Sequence, residues 1–184
     1  MIEVYFSENA FWGMLVSTIE SYKKETLGLL LGYKNETGFV VQHAIGYKTS
    51  ASKYRGVSVT QRAHKKIEKF FNKLPHMDII GDFHSHPQWG NIKGNVLLST
   101  TDILEIYPDN VYVILQINDK AKRKYWDYHQ GGKVLSGTID DYFIKVVAWV
   151  WNNQLNRPEK ARIRCPYALG FVWMEEVFRK DEVA

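Results

Sequence analysis

The sequence predicts a mixed α+β (α/β) domain: a mostly antiparallel sheet flanked by helices. Three observations predict it. Short apolar runs bounded by turn residues recur along the chain, as strands do. Two segments instead repeat their apolar residues at helical spacing. No internal repeat, low-complexity tract or linker interrupts the order, so strands and helices belong to one unit. At 184 residues, 45% hydrophobic and 24% charged, the chain is long enough to bury a core without staples.

Ile2 to Phe6 reads as a first strand. Ser7 then offers an N-cap, and Phe11, Leu15, Ile19 and Tyr22 mark a helix running to about Lys24. Thr26 to Tyr33, rich in Leu and punctuated by Gly28 and Gly32, reads as a buried strand. Phe39 to Tyr47 is its antiparallel neighbour across Asn35-Glu36-Thr37-Gly38. Thr60 caps a second helix whose stripe is Ala63, Ile67, Phe70, Phe71 and Leu74, and Pro75 ends it. Met77 to His86 is a further strand, closed by Pro87, which has no N–H for a ladder. A loop from Gln88 to Leu98 leads to a short helix beginning at Ser99. Val111 to Ile117 and Arg123 to His129 are expected to form a hairpin, with Lys120 to Lys124 at its tip. Thr138 to Trp151 adds one or two strands, Asn152 to Arg162 a polar connection, and Tyr167 to Lys180 a closing helix.

Charge and cysteine usage narrow the function classes. A net charge of +4 and a pI near 9.0 prompt a search for a nucleic-acid face, but the basic residues are scattered. Their densest run reads as a solvated turn, so no nucleic-acid partner is expected. Cys165 is the single cysteine, which excludes an intrachain disulfide and a Cys-based zinc knuckle. The N-terminus has no basic region followed by an apolar run, and Phe143 to Trp151 is too short to span a bilayer. The expectation is a cytoplasmic protein without a membrane partner, with a homodimer left open.

His84 and His86 are two apart on a strand, so both imidazoles point to one face and Ser85 to the other. Two such rings can grip one metal ion, and they can equally be polar strand residues. Asp102, three after Ser99, reads as part of a capping box, yet a carboxylate in that first turn lies near the strand before it. Two histidines and a carboxylate form a catalytic zinc set with water in the fourth position. Hydrolysis also needs a base. Glu25, at the mouth of the Leu-rich strand, is the candidate, and a solvated helix-end carboxylate is the other reading. The remaining histidines, His43, His64, His76 and His129, fall outside any ligand spacing.

Three blocks taken together, Glu25-Thr26-Leu27-Gly28-Leu29-Leu30-Leu31-Gly32, Gly81-Asp82-Phe83-His84-Ser85-His86-Pro87 and Ser99-Thr100-Thr101-Asp102, resemble the JAMM motif of the JAB1/MPN/Mov34 metalloenzyme family. The resemblance spans about Ile2 to Trp126. It implies a single JAMM-like domain over 1–184, with a motif-bearing core over about 1–130 and a C-terminal strand and helix over 138–180. It implies zinc held by His84, His86 and Asp102, Glu25 as general acid/base, and Ser99 as an oxyanion donor. It implies a zinc-dependent peptidase or isopeptidase acting after the C-terminal tail of a ubiquitin-like or sulfur-carrier protein. Relatives that have lost the motif serve as interaction scaffolds, the alternative function. A zinc nucleobase deaminase needs a Pro-Cys-x-x-Cys pair, which one cysteine cannot supply. The chain departs from the family pattern in its long loop from Gln88 to Leu98, expected to bulge outward, and in Leu27, where many members carry Cys.

Overall fold

Strands rich in Val, Ile and Leu pair here into one mixed sheet with helices on both of its faces. The computed structural model describes residues 2–47, 61–71, 73, 77–119 and 121–171. The Thr60 cap, the Leu74-Pro75 end of the second helix and the closing helix beyond Phe171 lie outside these residues. In chain order the elements are β1 (Glu3–Phe6), α1 (Glu8–Glu20), β2 (Leu27–Asn35), β3 (Gly38–Gly46), α2 (Gln61–Phe71), β4 (Asp78–Pro87) and α3 (Thr100–Glu105). They continue as β5 (Val111–Asn118), β6 (Asp127–His129), β7 (Val134–Ile139), β8 (Tyr142–Asn152), β9 (Arg157–Lys160), β10 (Arg162–Arg164) and α4 (Pro166–Leu169).

The sheet runs β10-β1-β3-β2-β4-β5-β8-β7-β6, with β9 added on β8. β1 is parallel to β3 and β10, and β4 to β5, while every other pair is antiparallel. The sheet curls until its far ends meet. The Ile163 N–H donates to the Gly132 carbonyl at 2.8 Å, and the Cys165 N–H to the Tyr128 hydroxyl at 2.6 Å.

Ser7 caps α1 by accepting the Ala10 N–H at 3.1 Å, as its sequence position predicts. The helix stops at Glu20 rather than near Lys24, because Ser21 to Lys24 turn back toward β2. Its buried face (Phe11, Met14, Leu15) joins Leu30, Phe83, Val113, Leu115 and Ile144 in the main core. The opposite face of β2 carries Leu29 and Leu31, over which Ile67 and Phe71 of α2 pack.

The expected hairpin between Val111–Ile117 and Arg123–His129 does not form. β5 sits between β4 and β8, and β6 pairs with β7 instead. All eight residues of β5 are buried, so the strand carries no alternation that would mark its partner. Residues 121–124 therefore lead along β7, with Lys124 bonded through its backbone to Thr138, and Lys120 of the expected hairpin tip lies outside the described residues. The polar connection from Asn152 to Arg162 also contains β9 and the start of β10.

Candidate metal centre

The alternation of β4 does the first sorting. Phe83 and Ser85 are fully buried against the main core, while Asp82, His84 and His86 face a cavity of about 480 Å³. That cavity is also lined by Glu25, Leu27, Ser99, Asp102, Glu105 and Tyr112. The Nε2 atoms of His84 and His86 lie 3.0 Å apart, and Asp102 Oδ1 lies 3.4 Å from His84 Nε2. One donor atom from each of the three residues falls within 4.8 Å of the others.

A tetrahedral ion with bonds of about 2.0–2.2 Å sets its donors about 3.3–3.6 Å apart, so the group can hold a metal ion with small adjustments. The tautomer is right as well. His86 Nδ1 lies 3.0 Å from the Asn95 carbonyl, which can only accept, so the proton belongs on Nδ1 and the Nε2 lone pair faces His84. Burial, followed by the neighbouring His86, pushes His84 down from 6.5 to about 4, which keeps its ring neutral and able to ligate.

Asp102 serves two roles at once through its two oxygens. Oδ2 accepts the Ser99 N–H at 2.6 Å, and the Ser99 hydroxyl accepts the Asp102 N–H at 3.1 Å, a closed capping box on α3. Oδ1 remains for the histidine side of the cavity. The cap aims the carboxylate, so the local reading of Ser99-x-x-Asp102 and its role as a potential ligand coexist.

Glu25 arrives by strand register. Leu27 of β2 pairs with His84 of β4, so the residues just before Leu27 run beside Ser85 and His86. Two bonds pin this stretch: the Ser85 N–H donates to the Thr26 carbonyl at 3.0 Å, and the Thr26 N–H to the Ser85 hydroxyl at 2.9 Å. The Thr26 hydroxyl adds a bond to the Ser17 carbonyl of α1 at 2.9 Å. Glu25 and the histidine pair therefore share one wall, although some sixty residues separate them in the chain.

The cavity holds a residue that the sequence reading passed over. Asp82 stands two before His84 on the same face, and burial, then Glu105 and Asp102, raise its carboxyl from 3.8 to about 7. Its parity with the histidines was the available signal. The loop from Gln88 to Leu98 is exposed over residues 90–93, leaves Asp102 beside His84, and returns at Asn95 to His86.

The chain resembles solved structures through its fold. The solution structure of protein DSY2949 from Desulfitobacterium hafniense matches 88% of this chain and 92% of that one, with a TM-score of 0.59 and 16% identity. A protein from Salinibacter ruber (strain DSM 13855) matches 88% of this chain and 91% of that one, with a TM-score of 0.52 and 16% identity. No family model and no curated protein matches the chain. Among the described residues no helix is long and apolar enough to cross a membrane. What these comparisons show is a fold shared with both proteins, and neither protein's name states a function.

Proposed function

We propose that the chain is a zinc-dependent peptidase or isopeptidase of the JAB1/MPN/Mov34 kind. Its substrate is the bond after the C-terminal tail of a ubiquitin-like or sulfur-carrier protein. The observation that carries this reading is the convergence of His84, His86 and Asp102 in a cavity that Glu25 and Ser99 also line. Two imidazoles and one carboxylate suit zinc, whereas calcium and magnesium favour oxygen ligands throughout.

When bound, zinc supplies an acidified water and a polarised scissile carbonyl. Glu25 takes the water's proton and passes it to the leaving amine, a role that a carboxylate beside the reacting atoms performs at neutral pH. The Ser99 oxygen is occupied by the Asp102 N–H, so its own O–H proton is left to donate to the developing oxyanion. Asn95 holds the His86 ring in orientation, and the capping box does the same for Asp102. A tail ending in glycines carries no side chains to obstruct the approach and can lie along the sheet as an added strand.

The test is metal analysis of the purified protein together with hydrolysis of a fusion whose ubiquitin-like part ends in a di-glycine tail. The wild type is expected to hold one zinc and to cleave. Glu25→Gln is expected to keep the zinc and lose about 10²–10⁴-fold in rate. A protein that takes up no divalent ion would sink the enzymatic reading and leave the interaction scaffold. A zinc-loaded protein inert toward every such fusion would sink the proposed substrate.

A further inference from the structure

The stretch between Pro87 and Ser99 is where this chain departs from the motif it resembles, and its path shows what it does. The Gln88 N–H donates to the Ile117 carbonyl at 2.9 Å, so the chain leaves β4 still bonded to β5. Trp89 and Ile92 then exchange two backbone bonds of 2.8 Å in a tight reversal. The returning chain settles on the end of β4 at Gly94, where a Cβ would run into the His86 carbonyl oxygen. Only glycine lets the backbone approach so closely.

At that point a side chain from β5 intervenes. The Gly94 N–H donates at 2.9 Å to Oδ1 of Asn118, which is 4% exposed. An N–H can only donate, which assigns the oxygen of the Asn118 amide to this contact. β5 is otherwise largely Val, Ile and Leu, and a buried amide there is costly unless its polar atoms are engaged. One residue beyond Gly94, the Asn95 carbonyl accepts the His86 Nδ1 proton at 3.0 Å. The Asn95 side chain accepts the Leu97 N–H at 2.8 Å, which turns the chain toward Ser99.

We infer that Asn118 is a positioning residue for the metal centre: it holds the Gly94 amide, and so sets the Asn95 carbonyl that orients His86. The inference rests on the reading of His84, His86 and Asp102 as ligands. Outer partners of ligating histidines are worth about 10–100-fold in metal affinity, because they fix both the tautomer and the ring plane. Asn118 contributes through two intermediates, one amide and one carbonyl, and does not itself touch the ion.

The experiment compares wild type, Asn118→Ala, Asn118→Asp and Gly94→Ala. Zinc affinity is measured by competition with a chelating indicator, and the visible spectrum of the cobalt(II)-loaded protein reports ligand geometry. Asn118→Ala is expected to bind zinc about 10–100-fold more weakly and to change the cobalt bands. Asn118→Asp keeps the acceptor oxygen and is expected to stay within about threefold of wild type, since the Gly94 N–H still has its partner. Gly94→Ala displaces the same carbonyl from the loop side and leaves β5 intact, so it tests the idea even if Asn118→Ala does not fold. Wild-type affinity and an unchanged cobalt spectrum in Asn118→Ala or Gly94→Ala would overturn the inference, as would an Asn118→Asp protein as weak as Asn118→Ala. If wild type itself binds no metal, the ligand reading fails with it. If wild type binds and the variants bind equally well, only the positioning role fails.

Discussion

The two faces of β4 share a backbone and differ in everything else. Phe83 and Ser85 point into the main core with no solvent exposure, against residues contributed by α1, β5 and β8. Asp82, His84 and His86 point into a cavity lined by three further carboxylates, those of Glu25, Asp102 and Glu105. The side chains on the first face are held by packing and by neutral hydrogen bonds. Those on the second are crowded charges and lone pairs that become favourable once a cation joins them. Rigidity on one face positions chemistry on the other, and substitutions should separate the two.

The largest contrast is expected between neighbours. His84→Ala should weaken metal binding by more than about 100-fold, beyond what loss of an outer partner costs, and leave the metal-free protein folded. Phe83→Ala should cost about 3–5 kcal/mol of stability, because a fully buried ring leaves a cavity behind, while the molecules that remain folded bind metal normally. Zinc titration and urea unfolding of both variants check this, and equal losses of stability would break the division between the faces.

Ser85→Ala tests the hinge between them. It strips the Thr26 N–H of its buried acceptor, at a cost of about 1–3 kcal/mol, and loosens the stretch that carries Glu25. Urea midpoints should fall, and hydrolysis should drop with little change in zinc affinity. A drop in zinc affinity as large as the drop in rate would mean that Ser85 acts on the histidines instead.

The smallest effect is one of pH on the metal-free protein. Asp82 is raised from 3.8 to about 7, so between those values the folded state keeps a proton that the unfolded chain has released. Its contribution to stability therefore falls as pH rises through that window. His84 is lowered from 6.5 to about 4, so there the unfolded chain holds the extra proton, and stability falls as pH drops. Each slope is at most about 1.4 kcal/mol per pH unit, and the two oppose each other between about pH 4 and 6.5. Asp82→Asn should uncover the His84 term: its urea midpoint should decline from pH 6.5 to 4.5 more steeply than that of wild type. Parallel profiles would show that Asp82 is not the compensating group.

Much of this arrangement was legible in the chain. Ser7 and Ser99 both cap helices where their positions said they would, since an N-cap is a contact between residues three apart. β2 and β3 pair across Asn35–Gly38 because a short turn leaves little choice of partner. The parity of His84 and His86 followed from the two-residue period of a strand. β5 is a strand where expected, but its partner was misassigned for the opposite reason. A strand buried on both faces has no alternation to mark its partner, and its actual partner β8 begins more than twenty residues after it ends. β9 and β10 were missed because their polar residues look like loop, and they are strands only because β8 and β1 lie beside them.

By itself, then, the sequence determined which residues could do chemistry and which face of a strand or turn of a helix each would occupy, because those properties repeat over a few residues. Only the tertiary structure decided that the faces meet. The β2/β4 register brings Glu25 toward the imidazoles, the Ser99 cap turns one Asp102 oxygen toward His84, and the Gln88–Leu98 loop folds back to place the Asn95 carbonyl on His86. Each of these depends on contacts between segments far apart in the chain. Their geometry is set by how the whole sheet packs, which no short stretch of residues encodes.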